Sequence, residues 1–352
     1  MPRLIRKPSS LNAAVLRGVL IGVCLMGLTG CQPAEAPLPV LTGSTMGTTY
    51  RVTLADQPLT VEPDDIRQAI DERLDRLEDR LSTYRPESDI SRFNQAAPGP
   101  WIDVAEPLVR LARYAKTLYT ASGGAFDPTV GPLVNLWGFG PEAGSQALPT
   151  DQVLAQARDR VGMTHLQWRD APPALRKSAP VYLDYSAIAK GYGVDVVVEL
   201  LEARELGNFL VEIGGELVGR GHKPGGEPWR VAIEQPVDEA RQIGQVLRLP
   251  DRALATSGDY RNFRVIDGKR YSHTIDPRTG YPVGHDLHSV SVLADSCLEA
   301  DGLATMLLVM GPQEGLAYAR KHGLAALFIS GEQGAYNKAH TDSFAAYMEK
   351  AQ

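Results

Sequence analysis

Phe209-Leu-Val-Glu-Ile213 and Trp229-Arg-Val-Ala-Ile233 lie in a stretch, 207–249, of short apolar runs separated by glycines. Runs of this length rich in Val, Ile, Phe and Trp read as strands, and the Gly-containing links fit the turns of antiparallel pairs. On either side the period changes. Ile66, Ile70, Leu74, Leu77 and Leu81 recur at spacings of 4, 4, 3 and 4 with charged residues between them, one apolar stripe of a packing helix. Leu108, Leu111, Ala115 and Leu118 mark another helix, which stops at Ser122-Gly-Gly124, and 301–309 and 313–322 also read as helical. Thr48-Thr-Tyr-Arg-Val-Thr-Leu54 reads as a first strand and Ala325-Ala-Leu-Phe-Ile-Ser330 as a late one. This irregular order predicts an α+β fold, with mixed, mostly antiparallel sheets and packed helices, over a regular βαβ winding.

Before these elements come two segments of a different kind. Residues 1–30 carry four basic side chains (Arg3, Arg6, Lys7, Arg17) and no acidic one, and they run into the apolar stretch 18–28. That is the layout of a secretory signal, too short to span a bilayer comfortably. It ends in Leu28-Thr-Gly-Cys31, which resembles a bacterial lipobox and implies that Cys31 becomes a lipidated N-terminus. Acyl chains there would hold an otherwise soluble chain on a membrane. Gln32-Pro-Ala-Glu-Ala-Pro-Leu-Pro39 is Pro-rich and reads as an extended tether. The expected organisation is a signal peptide over 1–30, a lipidated Cys and tether over 31–42, and a folded unit over 43–352. The expected location is the periplasmic side of the inner membrane; Gln32 follows Cys31 with no Asp to favour retention there, which leaves the inner leaflet of the outer membrane open.

The chain has 36 basic and 42 acidic residues, and loss of the signal leaves 32 against 42, a net charge of −10. Such a surface argues against nucleic acid as a partner. Of three cysteines, Cys24 leaves with the signal and Cys31 is lipidated, so Cys297 has no intramolecular partner and no disulfide framework forms.

No GxGxxG, Walker loop, HExxH or CxxC occurs, so the common dinucleotide, phosphate and zinc signatures are missing. Three other segments combine glycine with reactive side chains. Asp184-Tyr-Ser-Ala-Ile-Ala-Lys-Gly-Tyr-Gly-Val-Asp195 reads as a strand end entering a helix, whose first N–H groups, with Lys190 one turn in, suit an anionic phosphate. An exposed Lys on a packing helix explains it equally well. Tyr271-Ser-His-Thr-Ile-Asp-Pro-Arg-Thr-Gly-Tyr-Pro282 offers His273 as a general acid or base, or a turn in which Asp276 and Thr279 bond their own backbone. In Asp295-Ser-Cys-Leu-Glu-Ala-Asp-Gly-Leu-Ala-Thr305, Asp301 and Thr305 share one helix face and could hold a hard cation such as magnesium, which keeps few protein ligands. A capping Asp with a mid-helix Thr is the plainer alternative.

Taken together, the segments resemble the ApbE family of FAD:protein FMN transferases. The resemblance rests on Met46-Gly-Thr48, Leu81-Ser-Thr-Tyr84 with Ser88-Asp-Ile-Ser91, Ala125-Phe-Asp-Pro128, Asp184 with Ala187-Ile-Ala-Lys-Gly191, Ile213-Gly-Gly215, Ala255-Thr-Ser-Gly258, 273–280, and Ala300-Asp301 with Thr305, in that order. It implies a two-lobed single unit with an FAD pocket formed by Met46, Tyr84, Ala125, Phe126, Asp127, Asp184, Lys190 and Ile275, Met46 and Tyr84 packing the flavin and adenine. It implies Mg2+ held by the Ala187 carbonyl, Asp301 and Thr305 and bridging the FAD pyrophosphate. Tyr185, Thr274 and Glu212 depart from the expected pattern.

The reaction so implied is attack of an acceptor-protein Ser or Thr hydroxyl on the FMN-side phosphorus of FAD, with release of AMP. His273 would take the hydroxyl proton. Acceptors would be periplasm-facing domains with a Ser/Thr-Gly-Ala-Thr type site, expected in membrane redox complexes. FAD hydrolysis to FMN and AMP, or flavin carriage without turnover, would use the same pocket.

Overall fold

The strands Val40–Thr45 and Thr48–Leu54 pair in register around a tight turn in which Met46 and Gly47 both take positive φ (50° and 72°). This computed structural model describes residues 37–142, 147–237, 242–260, 262–332 and 335–349. The expected signal peptide, the lipidation site Cys31 and the first part of the tether, through Ala36, lie outside the described residues. Residues Pro39–Gln352 form one compact unit. The tether, expected through residue 42, ends earlier than that: Leu41 is 5% exposed and opposite Val52, so pairing recruits the chain from Val40 onward.

The opening hairpin is one edge of an eight-stranded sheet. It continues through Phe209–Ile213, Glu216–Arg220, Ala253–Gly258, Leu287–Ala294, Ala325–Glu332 and Ala335–His340, each antiparallel to its neighbour, so spatial order follows chain order. Trp229–Glu234 is a strand as expected but leaves this sheet and pairs with Ile243–Leu249 in a separate ribbon. The α+β reading therefore holds, and the sheets are antiparallel throughout.

Two helices, Ser186–Glu202 and Cys297–Lys321, pack on each other and against the sheet. Gly191 permits the close approach: a Cβ there would lie 2.3 Å from the Cys297 carbonyl oxygen. The second helix breaks at Gly311 (φ 84°) before Pro312, which is why its sequence reads as two helical runs. The helix Pro63–Leu81 buries the five residues of its stripe, and Glu106–Ala121 ends at Ser122 before two left-handed glycines. Among the described residues burial forms two large cores and a smaller cluster around Trp137. One gathers Ile66, Ile70 and Leu74 with Val197, Val211 and the opening hairpin; the other gathers Leu108, Leu111, Leu307 and Phe328.

Residues 125–130 are a loop entering the short helix Gly131–Leu136. A small hairpin, Phe263–Ile266 with Lys269–Ser272, turns on Asp267-Gly268, both with positive φ (51° and 76°), and leads directly into His273. Neither its strands nor its turn is apparent from the alternation alone.

Candidate functional site

A cleft of about 420 Å³ opens where the start of the helix Ser186–Glu202, the glycine turn after Ile213, the end of the strand Ala253–Gly258, the 125–130 loop and the 273–277 loop converge. Tyr84, Ala125, Phe126, Asp127, Asp184, Ala187, Lys190, His273, Ile275, Asp301 and Thr305 all line it. Three segments separated by tens to hundreds of residues thus meet at one place.

Met46 is the exception among the residues expected there. Its N–H donates to Glu78 Oε1 at 2.9 Å, and its side chain lies beside Gly193, one turn along the 186–202 helix from Lys190, outside the residues that line the cleft. Met46 itself takes positive φ (50°) in the turn and is only partly buried. Asp127 lines the cleft but its carboxylate is spent internally. Oδ1 accepts from the N–H and hydroxyl of Thr129 at 2.8 and 2.6 Å, and Oδ2 accepts from Met163 N–H at 3.1 Å. Burial pushes this carboxyl up from its ordinary value against those bonds. Its work is to shape the loop that presents Ala125 and Phe126. Asp184 likewise accepts from the N–H and hydroxyl of Ser186, fixing the first turn of the helix.

At the centre stand Lys190, Glu216 and Asp301. Lys190 Nζ lies 3.3 Å from Glu216 Oε1 and 3.9 Å from Asp301 Oδ1. Burial works against its charge, but the two carboxylates outweigh that and raise the ammonium above its ordinary range. Glu216 is 3% exposed and its Oε2 has no hydrogen-bond partner; burial pushes its carboxyl up from its ordinary value, and the adjacent Lys190 ammonium opposes that. Asp301, 2% exposed, accepts the Gly191 N–H on Oδ2 at 2.9 Å. In a regular helix that N–H belongs to the carbonyl of residue 187, so Asp301 competes with Ala187 for it. Ser257 and Thr305 hydroxyls lie 2.9 Å apart beside this group.

This donor set fits a magnesium ion. A buried carboxylate, a hydroxyl and a carbonyl in the first helical turn are all hard oxygens, and a few such ligands are what magnesium takes from a protein. An orphaned buried carboxylate oxygen on Glu216 is a further demand for a cation or donor. Among the described residues no cluster of three or more His, Cys, Asp or Glu forms a self-sufficient metal cage.

His273 Nδ1 lies 3.0 Å from the Asn262 carbonyl. A carbonyl only accepts, so Nδ1 carries the proton and Nε2 is the basic nitrogen of the neutral ring. Burial, with Lys190 nearby, depresses the imidazole below its ordinary value despite that bond, which keeps it neutral at pH 7. Tyr84 stands at the mouth, 66% exposed, with its ring offered to solvent. Its loop is braced by Ser88, whose hydroxyl donates to the Ser82 carbonyl at 2.6 Å, and by Arg85, which reaches Asp75, Glu78 and Asp79 on the helix Pro63–Leu81.

The three departures have separate explanations. Tyr185 is fully buried and donates to the Leu108 carbonyl at 3.2 Å, away from the cleft. Glu212 accepts from Gly215 N–H at 2.8 Å and pins the glycine turn. Thr274 does line the cleft. Sequence reasoning missed Glu216, one residue beyond the Ile213-Gly-Gly215 motif, and Ser257, inside a quoted motif without a role. An acidic residue ending a glycine turn was the available signal for the first.

Comparison with known proteins agrees with this geometry. Residues 46–328 match the ApbE family. The FAD:protein FMN transferase of Vibrio cholerae is 42% identical over 93% of this chain and 97% of that protein. The structure of the Vibrio cholerae flavin transferase ApbE superposes with a TM-score of 0.82, at 42% identity, covering 89% of this chain and all of that one. That of the Pseudomonas stutzeri flavinyl transferase ApbE, apo form, also gives 0.82, at 38% identity over 90% and 98%. The chain belongs to the ApbE family.

Proposed function

We propose that this chain is a flavin transferase that moves FMN from FAD to a Ser or Thr hydroxyl of an acceptor protein, with Mg2+ as cofactor. One observation supports it above the others: Lys190, Asp301, Thr305, Ala187 and His273 converge on a single cleft with an aromatic ring at its mouth. That is a pyrophosphate-neutralising group beside a base and a stacking surface.

In the reaction the acceptor oxygen attacks the FMN-side phosphorus, a P–O bond forms, and the bond to the AMP phosphate breaks. Phosphoryl transfer of this kind needs positioning and charge neutralisation more than covalent participation. Lys190, held charged by Glu216 and Asp301, faces the phosphates, and a magnesium ion on Asp301, Thr305 and the Ala187 carbonyl supplies further positive charge when bound. His273 takes the hydroxyl proton on Nε2, its ring held by Asn262. Tyr84 stacks on an aromatic part of FAD at the entrance.

The proposal extends to place. A signal over 1–30 and lipidation of Cys31 would tether the enzyme on the periplasmic side of the inner membrane, among periplasm-facing domains of redox complexes. Among the described residues no helix is long and apolar enough to cross a membrane. Incubating the chain with FAD, Mg2+ and a domain bearing a Ser/Thr-Gly-Ala-Thr site tests the chemistry. The expected result is an acceptor mass increased by one FMN, with matching AMP release. AMP without acceptor-bound flavin would assign hydrolysis, and no AMP would assign carriage.

A further inference from the structure

The hairpin Phe263–Ile266 and Lys269–Ser272 stands apart from every other sheet among the described residues, a two-stranded ribbon with no third strand. Its two feet are Asn262 and His273, both in the cleft wall and joined by His273 N–H donating to the Asn262 carbonyl at 3.1 Å. The ladder's alternation fixes which backbone groups point outward. Ile266 and Lys269 flank a two-residue turn and are the hydrogen-bonded closing pair. Bonded pairs then recur at Arg264 with Tyr271 and at Asn262 with His273, so Phe263 and Val265 direct their N–H and C=O groups away from the ribbon.

These same two residues expose their side chains, Phe263 by 36% with the Arg270 guanidinium 3.8 Å over its ring and Val265 by 62%, while Ile266 is buried and Arg264 donates to the Trp137 carbonyl at 2.7 Å. One face of the ribbon is seated on the Trp137 cluster through Tyr271, whose ring stacks on Trp137 at 5.4 Å. On the other edge Ser272, beside the cleft, is 5% exposed and covered. The open edge is therefore the one carrying Phe263 and Val265.

We propose that this edge is where the acceptor polypeptide docks, adding an extended segment as a third strand. The inference rests on the transferase reading, which requires a protein hydroxyl to reach His273. A segment paired along Phe263 and Val265 runs toward Asn262 at about 3.3 Å per residue, so two or three residues beyond the paired stretch deliver a Ser or Thr side chain to the cleft. Main-chain pairing supplies affinity without demanding one sequence, and the segment meets the Val265 side chain and the Phe263 ring with its stacked Arg270 guanidinium. It also explains why an exposed apolar edge, ordinarily a liability, stands beside the cleft.

The test is acceptor KM with the full-length chain, Mg2+, FAD and a domain carrying a Ser/Thr-Gly-Ala-Thr site, alongside FAD Kd from flavin fluorescence. Val265→Pro removes an outward N–H while sparing the ladder, and the expected result is roughly a tenfold or greater rise in acceptor KM with FAD Kd unchanged. Val265→Lys keeps the backbone donor and blunts the edge, so it reads the same surface if the proline variant fails to fold, with a rise of about threefold or more expected. An acceptor KM for Val265→Lys that matches the unaltered chain overturns the docking edge. If the unaltered chain transfers no FMN, the transferase reading itself falls, and the docking edge with it.

Discussion

Gly191 and Asp301, 110 residues apart in sequence, are joined by a 2.9 Å hydrogen bond from the Gly191 N–H to Oδ2 of the carboxylate. The bond couples the packing of the two central helices to the chemistry between them. The helix Ser186–Glu202 brings Lys190 and the Ala187 carbonyl, the helix Cys297–Lys321 brings Asp301 and Thr305, and the glycine lets the backbones meet.

Gly191→Ala should therefore damage both. The added methyl would sit 2.3 Å from the Cys297 carbonyl oxygen and 2.7 Å from Asp301 Cβ. Backbone cannot yield as a flexible side-chain tip does, so a loss of about 1–3 kcal/mol of stability is expected. Urea denaturation checks it through a lowered midpoint at unchanged slope.

His273→Ala should bind FAD normally and transfer FMN about 10²–10⁴-fold more slowly, the range of a lost general base. Because burial lowers the imidazole pKa, the rate of the unaltered enzyme should fall only as pH drops below the ordinary histidine value near 6.5. A profile of kcat/KM against pH that keeps this acid limb in the variant would remove His273 from the role.

Tyr84 should act through its ring. Tyr84→Phe is expected to leave FAD affinity unchanged, whereas Tyr84→Ala should weaken it by about 1–3 kcal/mol, the worth of one base–aromatic stack. Fluorescence titration with FAD distinguishes the two.

His288 gives the fold its own pH dependence. Its Nδ1 faces Asp259 at 3.1 Å and its Nε2 faces the Gly331 carbonyl at 2.7 Å, so both nitrogens meet acceptors and the charged ring is favoured. The hydrogen bond to Asp259 raises the pKa, against burial. A folded pKa above the unfolded one contributes stability that is complete below about pH 6.5 and lost as pH rises through the folded value. The melting temperature should fall across that window in the unaltered chain and stay flatter in His288→Gln.

Much of this was legible in the sequence, for a physical reason. Helical stripes such as 66–81 and strands such as Thr48–Leu54 are written in local periods, and local periods survive folding. Sheet order is set by pairing between distant segments, so nothing in Trp229–Glu234 announced that it would leave the main sheet. The same limit governs the site. Asp301, Thr305 and Lys190 were readable as motif residues, but Glu216 matters only because folding sets it 3.3 Å from Lys190. Asp127 shows the converse, since a motif position does not reveal that a side chain's oxygens are already taken by its own loop.

The most direct test of the transferase account is flavin fluorescence on the acceptor band after denaturing electrophoresis. The acceptor is incubated with FAD and either the unaltered chain or Asp301→Ala, with Mg2+ or with a chelator. The account predicts a fluorescent band only with the unaltered chain and Mg2+. A dark band under those conditions with a validated acceptor, or an equally bright one with Asp301→Ala, would contradict it.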